Sequence, residues 1–127
     1  MDRSMKNAPN PSKNELVVLM PARNEARNLP SAIYGVAHAQ NLPSSTHIVV
    51  GANACTDNTV EVLEAMKLRQ KNLEYVMESV PGKPCVLNAL VDHVEKKHRL
   101  GSHDTVVFLD ADAQLGDTTL SDLTQML

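Results

Sequence analysis

The stretch Leu16-Val17-Val18-Leu19-Met20-Pro21 (LVVLMP) decides how the chain folds. An unbroken apolar run of this kind cannot alternate between a wet and a dry face, so a strand built from it needs cover on both sides. Strands covered on both sides belong to parallel sheets with helices above and below. Pro21 is expected to stop the strand. Beyond it, Asn28 is placed to cap a helix with Pro30 in its first turn, and Leu29, Ile33, Val36 and Ala37 share one face. That helix should end near Asn41. His47–Gly51 (HIVVG) reads as a second strand, followed by a helix that Thr56, Asp57 or Asn58 can cap and whose Val60, Leu63 and Met66 face the sheet. Leu73–Glu78 (LEYVME) is a third, weaker strand. Pro84 starts a helix presenting Leu87, Leu90, Val91 and Val94, and Gly101 ends it. Thr105–Leu109 (TVVFL) is the fourth strand, and Asp117–Leu127 carries the pattern of one more helix. The order βαβαβαβ(α), with right-handed crossovers, predicts an α/β fold with an open, mainly parallel sheet and flanking helices.

The chain has 127 residues and a formal charge of 12 − 15 = −3, which is room for one domain. Residues 1–14, rich in Asn, Pro, Ser and Lys, read as a loose lead-in, and 15–127 as the domain. Hydrophobic residues at 43% and charged residues at 21% are those of a folding chain rather than a disordered one. A slightly acidic balance with 2% aromatics argues against nucleic acid as a partner. Cys55 and Cys85 are too few for a disulfide framework and lack metal-site spacing, which points to a reducing compartment. No apolar run reaches the roughly 18 residues of a membrane span, and the N-terminus has no signal-peptide core. The expected location is cytoplasmic.

In open sheets of this kind ligands sit beyond the C-terminal ends of the strands. The strongest signal there is Asp110-Ala111-Asp112 after TVVFL. In extended chain, residues i and i+2 point the same way, so both carboxylates can face one point with only a small side chain between them. Two ionised carboxylates so close repel unless a cation lies between them, and a hard ion such as Mg²⁺ or Mn²⁺ that also holds phosphate oxygens is the natural partner. Taken alone, Asp-x-Asp reads more simply as a turn cap beside a solvated Asp; after a buried strand of this fold the metal reading is favoured.

The other strand ends are distinctive too. In Pro21-Ala22-Arg23-Asn24-Glu25, a small Ala beside Pro leaves backbone open to a planar ligand, and Asn24 and Glu25 offer hydrogen bonds to a base or ribose. The bland alternative is an ordinary βα loop. In Gly51–Thr59 (GANACTDNT), small residues let a ligand approach and Asn53 can pair with a base edge, while Thr56 and Asp57 cap the helix. Cys55 has no nearby His to serve as its base, so a nucleophilic role is set aside. Gly82-Lys83-Pro84 places an ammonium beside the free amides of a helix start, which suits a phosphate, although neither P-loop nor G-x-G-x-x-G spacing is present. A solvated surface role for Lys83 is equally compatible with that segment, and Asn88 reads as a buried polar anchor. His38, His47, His93, His98 and His103 have no i,i+4 pair and no recurring acidic companion, so surface or packing roles are expected for all of them.

Taken together, PARNE after the first strand, NACTDNT after the second, Gly82-Lys83 with the downstream Asn88 after the third, and Asp110-Ala111-Asp112 after the fourth resemble the family-two nucleotide-sugar glycosyltransferases of the GT-A fold. The resemblance covers residues 16 to about 115 and implies their Rossmann-like, donor-binding half. It implies that Pro21, Ala22, Arg23, Asn24, Glu25 and Asn53 hold the nucleoside, with Glu25 near the ribose and base, and that Lys83 lies near the diphosphate. Asp110, with Ala111 beside it, would contact the ribose or the metal shell, and Asp112 would ligate the Mg²⁺ or Mn²⁺ bridging the diphosphate. The implied reaction is inverting transfer of a sugar from a UDP- or GDP-sugar to an acceptor hydroxyl not identified by the sequence.

The chain departs from the family pattern at Ala52 and Asn53, where many members carry acids. Only 127 − 112 = 15 residues follow Asp112, and none matches the family's general base. The expectation is therefore a GT-A half truncated after the D-x-D motif, binding donor with little or no turnover. The alternative is a non-catalytic nucleotide or nucleotide-sugar module completed by a partner or by self-association. An exposed sheet edge and apolar helix faces would favour self-association. A phospho-acceptor receiver domain is set low, because it expects its acidic pair after the first strand, where this chain has PARNE.

Overall fold

A computed structural model of the chain describes residues 15–39, 45–98, 100–101 and 104–112. Strand β1 (Glu15–Ala22) is buried along nearly its whole length and pairs in parallel with β2 (Ser45–Asn53) on one side and β4 (Thr105–Phe108) on the other. Strand β3 (Leu73–Glu78) adds to β2, giving the order β3-β2-β1-β4, all parallel. The chain thus steps outward from β1 to β2 to β3 and then returns over both to place β4 against the free side of β1.

That reversal sorts the helices. Right-handed crossovers made in opposite directions lie on opposite faces of a sheet. Helices α1 (Leu29–Ala37) and α2 (Thr59–Lys67), from the outward steps, cover one face, and α3 (Lys83–Lys97), from the return, covers the other. The strand period of two divides β1 accordingly: Leu16, Val18, Met20 and Ala22 pack with Leu29, Ile33 and Leu63, while Val17 and Leu19 pack with Val86, Leu90 and Val94. This is the two-sided burial that LVVLM requires. Among the described residues, no helix is long and apolar enough to cross a membrane.

The expected elements are all present where residues are described, with local corrections. Pro21 does not stop β1; the strand continues through it to Ala22, opposite Gly51 and Ala52 of β2. Leu19 turns its carbonyl toward β4, where it accepts from the Leu109 amide at 2.9 Å. Two residues on, the missing N–H of Pro21 points to the same side, past the end of the β4 ladder, so no sheet hydrogen bond is lost. In α1 the buried face is Leu29, Ala32, Ile33 and Val36, with Ala37 exposed; in α3 it is Val86, Leu90 and Val94, with Val91 exposed and Leu87 only partly covered. Helix α3 ends at Lys97, before Gly101, and Asn88 is exposed rather than a buried anchor. The lead-in 1–14, the end of the first helix near Asn41 and the helix expected over Asp117–Leu127 lie outside the described residues.

Two segments far apart in sequence are joined at the start of β1. The Glu15 amide donates to Asp104 Oδ1 at 2.8 Å, 89 positions away in sequence.

Candidate functional site

The strand order reverses between β1 and β4, and at such a switch point the loops leaving the two strands diverge to opposite faces and leave a crevice. Here that crevice is a cavity of about 270 Å³ lined by Pro21, Ala22, Arg23 and Glu25 from the end of β1, Asn53 from the end of β2, Lys83 and Val86 from the start of α3, and Asp110, Ala111 and Asp112 after β4. Nine of the ten site residues expected from the sequence line it; Asn24 does not. The volume is slightly below the ~300–1,000 Å³ of complete small-molecule pockets, so it suits part of a larger ligand.

Asn24 has a different task. It sits at φ 56°, a left-handed conformation that Asn tolerates better than most residues. Its side-chain oxygen accepts from the amides of Thr56 at 2.7 Å and Asp57 at 3.1 Å. The lacing is reciprocal: the Glu25 amide donates to Thr59 Oγ1 at 3.1 Å and the Ala26 amide to Asp57 Oδ2 at 3.4 Å. Asp57 Oδ1 in turn accepts from the Thr59 amide at 3.0 Å and from the Thr59 hydroxyl. The Thr59 hydroxyl is the main influence holding the Asp57 carboxyl below its ordinary value, against an opposing desolvation. The Cys55 thiol bridges the same loops, accepting from the Asn24 amide at 3.5 Å and donating to the Ala22 carbonyl at 3.6 Å. The first two strand-end loops are therefore one cross-braced unit, and Glu25 is held at its edge. Asn58 stands at the N-cap of α2 without a side-chain cap bond, so Asp57 bonded to Thr59 does the local work.

Asn53 is buried, and its amide group is used to shape the site. It donates to the carbonyls of Glu78 at 3.0 Å and Val80 at 2.7 Å, and accepts from the Gly82 amide at 2.9 Å. This one side chain fixes the β3–α3 loop. Gly82 has φ 122°, a backbone state disfavoured for side-chain-bearing residues, and the turn it makes aims the opening of α3 at the cavity. Gly51, two residues before Asn53, lets α3 come close: a Cβ there would lie 2.5 Å from Val86 Cγ2.

Asp110, Ala111 and Asp112 are not extended as the i, i+2 argument supposed. Strand β4 ends at Phe108, and Ala111 and Asp112 form a turn in which Ala111 is buried against the α1 side of the core. Burial of Ala111 bends the chain and leaves both carboxylates exposed at the cavity. Asp110 Oδ1 pairs with Lys83 Nζ at 3.0 Å, whereas Asp112 makes no hydrogen bond or ion pair among the described residues. A free carboxylate beside a half-engaged one is an all-oxygen donor set that fits a hard divalent cation completed by water and phosphate oxygens. The opening turn of α3, whose amides lack partners inside the helix, faces the same space.

Sequence reasoning missed Val86 and Gly51, which matter through the third dimension, and it misread three histidines. His93 and His98 do share an acidic companion, Glu74 of β3, and His47, which pairs with Glu15, has its ligand atom within 4.8 Å of those of Glu74 and His98. His38 is exposed and stacked on Tyr34, and His103 lies outside the described residues.

Comparison with known proteins follows the same line. The sequence profile described as Glycosyl transferase family 2 matches residues 17–127. No curated protein sequence gives a significant match. Among solved structures, the mannosyltransferase PcManGT from Pyrobaculum calidifontis, in complex with GDP-Man and Mn²⁺, is similar with a TM-score of 0.71 at 25% identity, over 90% of this chain and 32% of that one. S. aureus TarS 1–349 in complex with UDP-GlcNAc is similar in fold with a TM-score of 0.64 at 23% identity, over 87% of this chain and 30% of that one. The chain spans about a third of the length of these two structures.

Proposed function

Since this chain belongs to glycosyl transferase family 2, we propose that its switch-point cavity holds the diphosphate and ribose of a nucleotide-sugar donor together with Mg²⁺ or Mn²⁺, in service of inverting sugar transfer to an acceptor hydroxyl. The observation that carries this reading is the convergence of Pro21, Ala22, Arg23 and Glu25, of Asn53, of Lys83 and of Asp110–Asp112, from four separate segments, on one crevice. The likeness to a mannosyltransferase bound to GDP-Man and Mn²⁺ supports it.

Each residue acts by its own chemistry. Asp112, and Asp110 through its second oxygen, hold the cation, which when bound neutralises charge developing on the departing diphosphate. Lys83 turns from Asp110 toward a phosphate oxygen as the donor enters. Glu25 keeps one carboxylate oxygen on Asn28 Nδ2 at 2.8 Å and offers the other to the nucleoside. Pro21 and Ala22 supply a flat wall, and Arg23 adds positive charge at the rim. Asn53 supports the pocket as the brace of the β3–α3 loop, and Asn24 as the brace of the Glu25 loop.

We assign the described residues donor binding, and the general base and acceptor site to none of them. Calorimetric titration with UDP and GDP, with and without Mn²⁺, on wild type and Asp112→Ala tests the reading. Metal-dependent binding that Asp112→Ala abolishes is expected. Failure of the wild type to bind either nucleotide with Mn²⁺ present overturns the donor site, and equal binding by Asp112→Ala overturns the metal assignment.

A further inference from the structure

At the end of the sheet opposite the cavity, three elements bring imidazoles and a carboxylate together. On β2, the residues facing α3 are Val49 and, at spacings of two, His47 and Gly51; on β3 they are Val76 and Glu74. Glu74 is in register with Val49, which sets it diagonally beside His47. Helix α3 runs back against the strand direction, so its end comes down over their beginnings and delivers His93, Lys97 and His98. The ligand atoms of His47, Glu74 and His98 all lie within 4.8 Å of one another. His98 Nε2 is 3.0 Å from Glu74 Oε2, and the His47 and His98 ring centroids are 4.9 Å apart. These side chains are largely covered, at 28%, 20% and 10% exposure for His47, Glu74 and His98.

We propose that His47, Glu74 and His98 bind a divalent transition-metal ion of the Zn²⁺ class, at a site separate from the donor crevice. Two imidazoles and one carboxylate are a donor set of zinc and its neighbours, whereas Mg²⁺ prefers oxygen alone. Tetrahedral ligands at about 2.0–2.1 Å from an ion are roughly 3.4 Å from each other. The His98–Glu74 separation is already close to this, and small ring rotations bring in His47. The other carboxylate oxygen is independently held: Glu74 Oε1 has His93 Nε2 at 2.7 Å and Lys97 Nζ at 3.4 Å. Such outer partners orient a ligating carboxylate. A water takes the fourth position, and Glu15 Oε1, 3.4 Å from His47 Nε2, adds negative charge beside that ligand. The ion pins the last turn of α3 to the feet of β2 and β3, and so steadies the helix whose first turn carries Lys83 and Val86 to the cavity.

The test is calorimetric titration of Zn²⁺ into the full chain with Mg²⁺ in excess to fill the donor crevice, and visible absorption of the Co²⁺-loaded wild type. One saturable Zn²⁺ equivalent is expected, unchanged in Asp112→Ala, weakened more than about 10-fold in His47→Gln and in His98→Gln, and about 10-fold in His93→Gln. Far-UV circular dichroism establishes that each variant is folded. Co²⁺ should give the intense bands of four- or five-coordination, a readout that needs no variant. Absence of saturable Zn²⁺ binding, its persistence undiminished in both His47→Gln and His98→Gln, or a weak six-coordinate Co²⁺ spectrum overturns the proposal.

Discussion

Lys83 Nζ lies 3.0 Å from Asp110 Oδ1, joining the first turn of α3 to the end of β4 across the rim of the cavity. Both side chains are more than half exposed, at 65% and 56%. Exposed pairs of this kind contribute about 0–1 kcal/mol, so an arriving phosphate can compete for the ammonium at little cost. Lys83→Ala should therefore leave the melting temperature nearly unchanged yet weaken UDP and GDP alike by roughly 10- to 100-fold, the loss of a charged hydrogen bond. Calorimetry alongside thermal melting checks both halves. Wild-type affinity in the variant would remove Lys83 from the phosphate site.

Asn53 is expected to matter more for stability than for nucleotide choice. Asn53→Ala leaves the carbonyls of Glu78 and Val80 and the Gly82 amide, all in partly buried hydrogen bonds, without their partner, a loss of about 1–3 kcal/mol in all. Asn53→Asp should be no better, because a carboxylate cannot donate to two carbonyls and would face them with negative charge. Urea denaturation of both variants measures this, and an Asn53→Asp protein as stable as wild type would contradict the bracing role.

Gly51→Ala places a methyl 2.5 Å from Val86 Cγ2 and 3.1 Å from Leu90 Cδ1. Val86 is stiff at χ1 and cannot swing away freely. Overpacking of this sort costs about 1–3 kcal/mol, and the displaced α3 should weaken nucleotide binding as well. A Val86→Ala companion substitution relieves the overlap, so the double variant is expected to recover part of the loss.

Acid should act through Asp57. Its folded-state value lies below the ordinary one, so its contribution is fully present above the unfolded value of 3.8 and is lost as pH falls through the folded value. Asp57→Asn keeps an acceptor but no charge. Melting curves of wild type and Asp57→Asn should be separated at neutral pH, wild type higher, and converge in strong acid. A gap that widens on acidification would reverse the assignment.

The elements themselves were legible because LVVLM, HIVVG and TVVFL announce buried strands and Pro84 a helix start. What local pattern left open was phase and partnership. The four-residue step Val86, Leu90, Val94 and the competing set Leu87, Leu90, Val91, Val94 differ by a fraction of a turn, and only the close seat over Gly51 selects the first. Pro21 reads as a stop until the short reach of β4 is known. The donor-site segments could be recognised since each follows a strand directly. The cluster around Glu74 could not, because His47, Glu74 and His98 carry no spacing signal and meet only through strand register and the length of α3.

The bond from Glu15 to Asp104, spanning 89 positions, has a temporal meaning. During synthesis β1 can dock with β2 early, while its other edge must wait for almost the whole described chain to emerge. Closing so distant a pair is entropically slow, and strands joined in this way assemble late. Asp110 to Asp112 arrive with β4, so one wall of the crevice appears only in that late event. A folding intermediate lacking β4 would hold a formed β1–β2–β3 layer, bare along one side of β1 and unable to grip a nucleotide.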